Sequence, residues 1–274
     1  MVNAVLNTER IKTLYSPAFR VIIILHASLF ILVTMVAGSL HIDIQGVHIE
    51  KLLHFPHIWN TLSWIASWFN LLLGVLAILL VSNEFQYKTF KKHIIDGLSR
   101  NEILLSKLIV FALLAAYTML LVFISGLLFG IIKSSSFSVN DFIQGLPYLP
   151  VLFIQSLGYM LLGMLMAFIF KNSAFSIVAF LLYFFPVEPI LRAFLPNGVA
   201  AFMPAKTIAN LTPMPNFLGI SLSDAIQMSS SSSGFEVMGL SSHSVPLLTT
   251  TLIAAGYCLL FAFAAKLIVT NKNF

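Results

Sequence analysis

Long uninterrupted apolar runs, rather than two-residue alternation, organise this chain. Six are long enough to cross a bilayer as helices, at about 20 residues each. They cover roughly 20–40, 62–82, 104–132, 148–170, 174–195 and 245–270. The third is long enough to tilt or protrude. The fifth is interrupted near Pro186 and Pro189. No self-similar period marks an internal repeat. The pattern predicts an all-α integral membrane protein with six transmembrane helices, both termini on one side, and a single membrane domain over 1–274.

Composition agrees. The chain is 59% hydrophobic and 9% charged, and its mean hydropathy is +0.96. A soluble domain carries about a quarter charged residues, so this chain lacks a polar surface. Its polar N-terminal stretch, Met1 to Arg20, does not read as a signal peptide. Its net charge of +5 therefore reports orientation and does not point to nucleic acid. On the side of the termini lie Arg10, Lys12, Arg20, Lys88, Lys91, Lys92, Arg100, Lys107, Lys171, Lys266 and Lys272. Lys51, Lys133, Arg192 and Lys206 lie on the other. This imbalance predicts cytoplasmic N- and C-termini. Trp59, Trp64 and Trp68 read as an outer aromatic belt, and Tyr15 and Tyr87 as inner markers. The lone Cys258 excludes an internal disulfide.

The outer connections differ. His41 to Thr61 holds an amphipathic patch, with an interfacial helix expected at Ile49 to Phe55. Lys133 to Leu146 is short and serine-rich. In the connection Pro196 to Ser244, "GVAAFMPAKTIANLTPMPNFLGI" is too apolar for a free loop and predicts short helices dipping into the outer leaflet. The run Ser229 to Ser233 reads as a flexible crest.

The inner connection, "NEFQYKTFKKHIIDGLSRNE", concentrates charge in a chain that has little. Phe85, Tyr87, Phe90, Ile94 and Ile95 are interleaved with Lys88, Lys91, Lys92 and His93, the pattern of a short amphipathic surface helix. Asp96-Gly97 supplies a break, since glycine tolerates the left-handed conformation. Ser99 to Glu102 reads Ser-x-x-Glu, a capping box: the serine side chain takes a free amide and the glutamate reaches back to the serine amide. Lys107 follows one to two turns in and is expected to snorkel to the headgroups. The connection is either a simple positive-inside anchor or a rigid docking element. Acids at both ends, the capping box and three aromatics favour the second.

"NEFQYKTFKKHIIDGLSRNEILLSKLIV" resembles the cytoplasmic signature of ABC type-2 exporter permeases, matching at Glu84, Phe85, Thr89, Ser99, Arg100 and Lys107. "NTERIKTLYSPAFRVI" is similar to the amphipathic leader of that family, with Glu9 and Lys12 in place. Lys88 and Leu98 depart from the glycine and proline common there, leaving the subfamily open. The resemblance implies a coupling helix between spans 2 and 3 that rests on a separate ATPase subunit. It also implies a non-catalytic membrane subunit of an ATP-driven exporter, paired with a second permease chain, identical or sister, in membrane lipid. A bacterial plasma (inner) membrane location follows. ATP and Mg would be bound by the partner, because this chain has no Gly-x-x-x-x-Gly-Lys-Ser/Thr motif and needs no cofactor of its own. Contact and force transfer would fall to Glu84, Phe85, Tyr87, Thr89, Phe90, Lys91, Ser99, Arg100 and Glu102. The alternative is a non-transporting scaffold or sensor that docks a cytoplasmic partner through residues 84–102.

Other chemistries find less in the sequence. An ion-coupled carrier needs a charge deep in the membrane. Only His26 lies well inside a span, and it reads either as a hydrogen-bonded packing residue or as a proton relay. Glu188 and Arg192, spaced i, i+4, form either a structural pair at an outer kink or part of an exit gate. His41, His48, His54 and His57 lack a completing acid or cysteine for a metal site. Gly158 and Gly163 read as close-packing positions. No zinc-protease or serine-protease motif is present.

Overall fold

A run of twenty apolar residues in hydrocarbon must satisfy its own backbone, and the α-helix does so within one segment. The computed structural model describes residues 9, 11–39, 43–44, 47–48, 53–133, 138–215 and 246–271. Residues 11–15 are helical, and α1 follows at Pro17–Ser39. A two-residue antiparallel ladder pairs Asp43–Ile44 with Val47–His48. Then come α2 (Ile58–Ser67), α3 (Asn70–Gln86), α4 (Thr89–Ile95), α5 (Arg100–Lys133), α6 (Val139–Gln144) and α7 (Tyr148–Phe170). α8 (Ser173–Leu182) runs through a π turn (Tyr183–Val187) into α9 (Glu188–Ala193). Two short helices, α10 (Asn197–Ala200) and α11 (Pro204–Ala209), precede α12 (Leu247–Asn271).

Five helices are long and apolar enough to cross a membrane, or six if α2 and α3, bent by 44° at their junction, form one broken span. The protein is an all-α integral membrane protein. α5 has 34 residues, about 51 Å at 1.5 Å per residue, well beyond a hydrocarbon core of about 30 Å. The expected fifth span is continuous through its prolines. The π turn absorbs Pro186, whose missing N–H would otherwise leave a gap in the ladder.

α7 is the central helix and packs against α3, α12, α5 and α8. Small residues set the spacing. A Cβ on Gly163 would lie 2.6 Å from the Gly74 carbonyl oxygen, so α3 and α7 meet backbone to backbone there. Gly158 faces the Ile208 side chain at 3.1 Å from such a Cβ. Both glycines thus have the packing role expected of them.

A second core surrounds Trp59, which is fully buried. Its indole stacks on Phe123 at 5.8 Å, a Cβ on Gly126 would intrude on it at 2.6 Å, and its Nε1 donates to the Phe142 carbonyl at 3.2 Å. Trp59 is therefore an anchor for α2 and not a belt residue, whereas Trp68 is exposed. The interfacial helix expected at 49–55 is corrected where it can be seen. Leu53 is buried and Phe55 packs on Trp59 and Phe142, so both belong to this core; residues 49–52 lie outside the described residues. So does the serine run 229–233.

Candidate functional site

The end of the bundle carrying the α3–α5 connection is built as a sequence of caps. α3 runs on to Gln86, one turn past the expected membrane exit. Lys88 then adopts a left-handed conformation (φ 57°), which breaks the chain before α4. The surface helix thus begins at Thr89, not Phe85. Gly97 takes φ 92° at the next turn, where glycine is needed. Ser99 and Glu102 form the anticipated capping box. The Glu102 amide donates to Ser99 Oγ at 3.2 Å, and Glu102 Oε2 accepts from the Ser99 amide at 2.9 Å and from its hydroxyl at 2.8 Å. Two free amides at the start of α5 are thereby satisfied.

Beneath these turns lies a buried charge cluster. Glu84 Oε1 accepts from Lys107 Nζ at 2.9 Å and from Lys12 Nζ at 3.3 Å. Lys107 also pairs with Glu9 and donates to the Leu80 carbonyl at 3.4 Å. Lys12 reaches His93 Nε2 on α4. Lys107 does not snorkel: its side chain is 4% exposed. Two carboxylates compensate its charge inside the bundle more completely than a half-exposed headgroup position would. One cluster therefore ties the N-terminal leader, α3, α4 and α5 together. His93 titrates below its ordinary value, first because burial disfavours its charged form and then because Lys12 repels a second cation.

The nine sequence-predicted contact residues separate into two groups. Phe85 stacks on Phe90 at 5.1 Å and meets Phe168 edge-on at 5.8 Å, and Phe90 and Glu84 are buried. Thr89 Oγ1 donates to the Glu84 carbonyl at 3.4 Å. Arg100 Nη1 donates to the carbonyls of Val269 (3.0 Å) and Thr270 (2.9 Å), capping the last helix with a cation. Ser99 and Glu102 cap α5. These seven hold the element in place. Tyr87 and Lys91 are exposed, alongside Lys88, Lys92 and Ile95.

At the other end, the apolar connection holds the short helices expected of it, and α11 sits between α7 and α12. A polar network missed in the sequence reading holds it. Gln155 Nε2 donates to the carbonyls of Ile208 (3.0 Å) and Ala209 (3.1 Å), while its Oε1 accepts from Thr212 (3.1 Å) and Asn70 (3.3 Å). Ser156 donates to Asn70 Oδ1 at 2.8 Å. The available signal was a glutamine within the apolar run "VLFIQSLGYM". Glu188 and Arg192 do not pair. Glu188 is buried and accepts from the amides of Ala205 (2.8 Å) and Lys206 (2.6 Å) at the start of α11, while Arg192 Nε has no hydrogen-bond partner. The N-terminus of α11 brings two amides nearer than the next turn brings a guanidinium. His26 is buried against Phe69 and Tyr117, and neither ring nitrogen is hydrogen bonded, so it packs without the expected bond.

The side chains of His41 and His48 lie outside the described residues. Among the described residues no three His, Cys, Asp or Glu side chains converge.

A family model for "ABC-2 family transporter protein" matches residues 5–187, well over half of the chain. No curated protein matches it. The chain belongs to the ABC-2 transporter family, and the leader, the charge cluster and α4 all lie within the matched stretch.

Proposed function

We propose that this multi-pass ABC-2 family protein is the permease subunit of an ATP-driven exporter. Both termini and α4 face the cytoplasm in this reading, six spans cross a bacterial inner membrane, and two permease chains assemble with two ATPase subunits. ATP and Mg are the partner's ligands, and α4 transmits the partner's motion.

The observation that carries this reading is the split character of the α3–α5 connection. Its outer face offers Tyr87 and Ile95, 75% and 84% exposed, among Lys88, Lys91 and Lys92. Exposed aromatic and aliphatic groups ringed by charge suit a protein partner better than solvent. Its inner face is fixed by aromatic stacking and by the cluster at Glu84 to α3, α5 and the leader. A push on α4 therefore moves two spans directly. The absence of a nucleotide-binding motif in the chain leaves energy supply to a partner.

The test is co-purification with a Walker-motif ATPase and measurement of stimulated hydrolysis, using Tyr87→Ala, Lys91→Glu and Lys92→Glu together. The expected result is loss of association and stimulation by about tenfold or more, with thermal unfolding of the permease unchanged. Unaltered association, or no ATPase bound to the native chain, would instead leave a scaffold or sensor.

A further inference from the structure

Two spans, α3 and α5, continue directly from the inner connection. A third is attached to it through one side chain. Arg100 is the first residue of α5, and its backbone is fixed by the capping box of Ser99 and Glu102. From that base its Nη1 reaches two carbonyls in the last turn of α12, Val269 at 3.0 Å and Thr270 at 2.9 Å. An α-helix leaves its last carbonyls without an internal partner, and they form the negative end of its dipole. A cation on a fixed base is therefore bonded to the end of another span.

α12 is also held towards the far end of the bundle. The Tyr257 hydroxyl donates to the Phe202 carbonyl, between α10 and α11, at 2.7 Å, and α11 packs on α12. The stretch from Tyr257 to Val269 is about 18 Å long at 1.5 Å per residue. It contains neither proline nor glycine, so no kink absorbs a displacement along it. Its buried side chains, Cys258, Phe261, Ala265 and Val269, are apolar, and α12 packs on α7. Cys258 Sγ makes only a long contact there, 3.8 Å from the Ile154 carbonyl. Apolar packing is non-directional and permits the small sliding of helices by which proteins change state. Strong directional bonds hold α12 at Arg100 and at Tyr257.

We propose that Arg100 is a positioning residue that makes α12 a rod between the two ends of the molecule. Displacement of the start of α5 passes through Arg100 to α12, and through Tyr257 to the segment that carries α10 and α11. How firmly that segment is held then depends on the position of the inner connection. The inference rests on the permease reading for the cause of the displacement, the partner's ATP cycle. The coupling itself is a property of this chain alone, and it runs through a span beyond the family match, which ends at residue 187.

Amide hydrogen exchange of the isolated full-length chain in nanodiscs provides the test. Arg100→Ala is expected to raise exchange at Ala205 to Ala209, at the opposite end, by about fivefold or more, while exchange in α2 keeps its native rate. Arg100→Lys keeps a cation at the α12 carbonyls and is expected to restore most of the protection. Tyr257→Phe removes only a hydroxyl. With it already present, Arg100→Ala is expected to add nothing at these amides, whereas general loosening would add the same increment. Arg100→Gln keeps an amide donor without the charge. It is expected to give a smaller rise at the same amides even if Arg100→Ala does not fold. Native exchange at Ala205 to Ala209 in the Ala and Gln variants, a rise shared equally by α2, or an undiminished rise in the Tyr257→Phe background overturns the proposal. No ATPase is needed. A negative result leaves the exporter reading with α3 and α5 as its path, and failure of ATPase co-purification with the coupling retained defeats that reading alone.

Discussion

Replacing Lys107 by methionine keeps an unbranched side chain of nearly the same length and removes one charge. The Lys107 side chain is 4% exposed, and those of Glu9 and Glu84 are 7% and 8% exposed. Glu9 loses its ion-pair partner, and Glu84 keeps only Lys12, whose side chain is 32% exposed and whose contact is longer, at 3.3 Å. A contact of that exposure is worth about 1 kcal/mol or less. Removing one partner of a buried pair costs about 3–5 kcal/mol, because the charge left behind stays desolvated. Lys107→Met is therefore expected to lose about 3–5 kcal/mol in reversible unfolding of the isolated chain in mixed micelles, followed by helicity. Adding Glu84→Gln should restore part of the loss, a coupling of about 0.5–3 kcal/mol. Lys266→Met, at an exposed position, should stay within about 0.5 kcal/mol of the native chain. A loss no greater for Lys107→Met than for Lys266→Met would refute the buried cluster, and Lys107 would then be a headgroup lysine after all.

Other parts of the fold make separate predictions. Gly163→Ala should cost about 1–3 kcal/mol in the same assay, because the new methyl meets the Gly74 carbonyl at 2.6 Å and backbone cannot step aside. Gln155→Leu should leave the α11 carbonyls and Thr212 without their partner, raising amide exchange in Pro204–Ala209 while exchange in α4 is unchanged. The folded state holds His93 neutral and titrates it below 6.5, so the unfolded or undocked state takes up the proton first as pH falls. Docking of the leader on α4 is thus full above about pH 6.5 and weakens below it. Proteolysis of the connection at pH 5.5 against pH 7.5 should show this, and His93→Gln should flatten the difference.

Much of the fold was legible because it is local. Hydrocarbon forces each long apolar run into a helix regardless of its neighbours, so the positions of α1, α5, α7, α8 with α9, and α12 follow from apolarity alone. The turn at Gly97 and the Ser99–Glu102 capping box are also local, involving residues within four positions of each other. The place of Trp59 was not legible, because the residue carries an interfacial signature while its position is set by Gly126, Phe123 and Phe142, which are far along the chain.

The sequence by itself determined that the chain is a helical membrane protein, where most of its long apolar helices run, and that its charge gathers in one capped connection. Only the tertiary structure decided which faces meet. It buried Lys107 between Glu9 and Glu84, sent Arg100 to the carbonyls of Val269 and Thr270, and gave Glu188 to the amides of α11 instead of Arg192. The reason is physical. In lipid an apolar face gains nothing by turning inward, so uniform spans carry no mark of inside and outside. Their arrangement is settled by close packing at small residues and by polar groups finding partners far away in sequence.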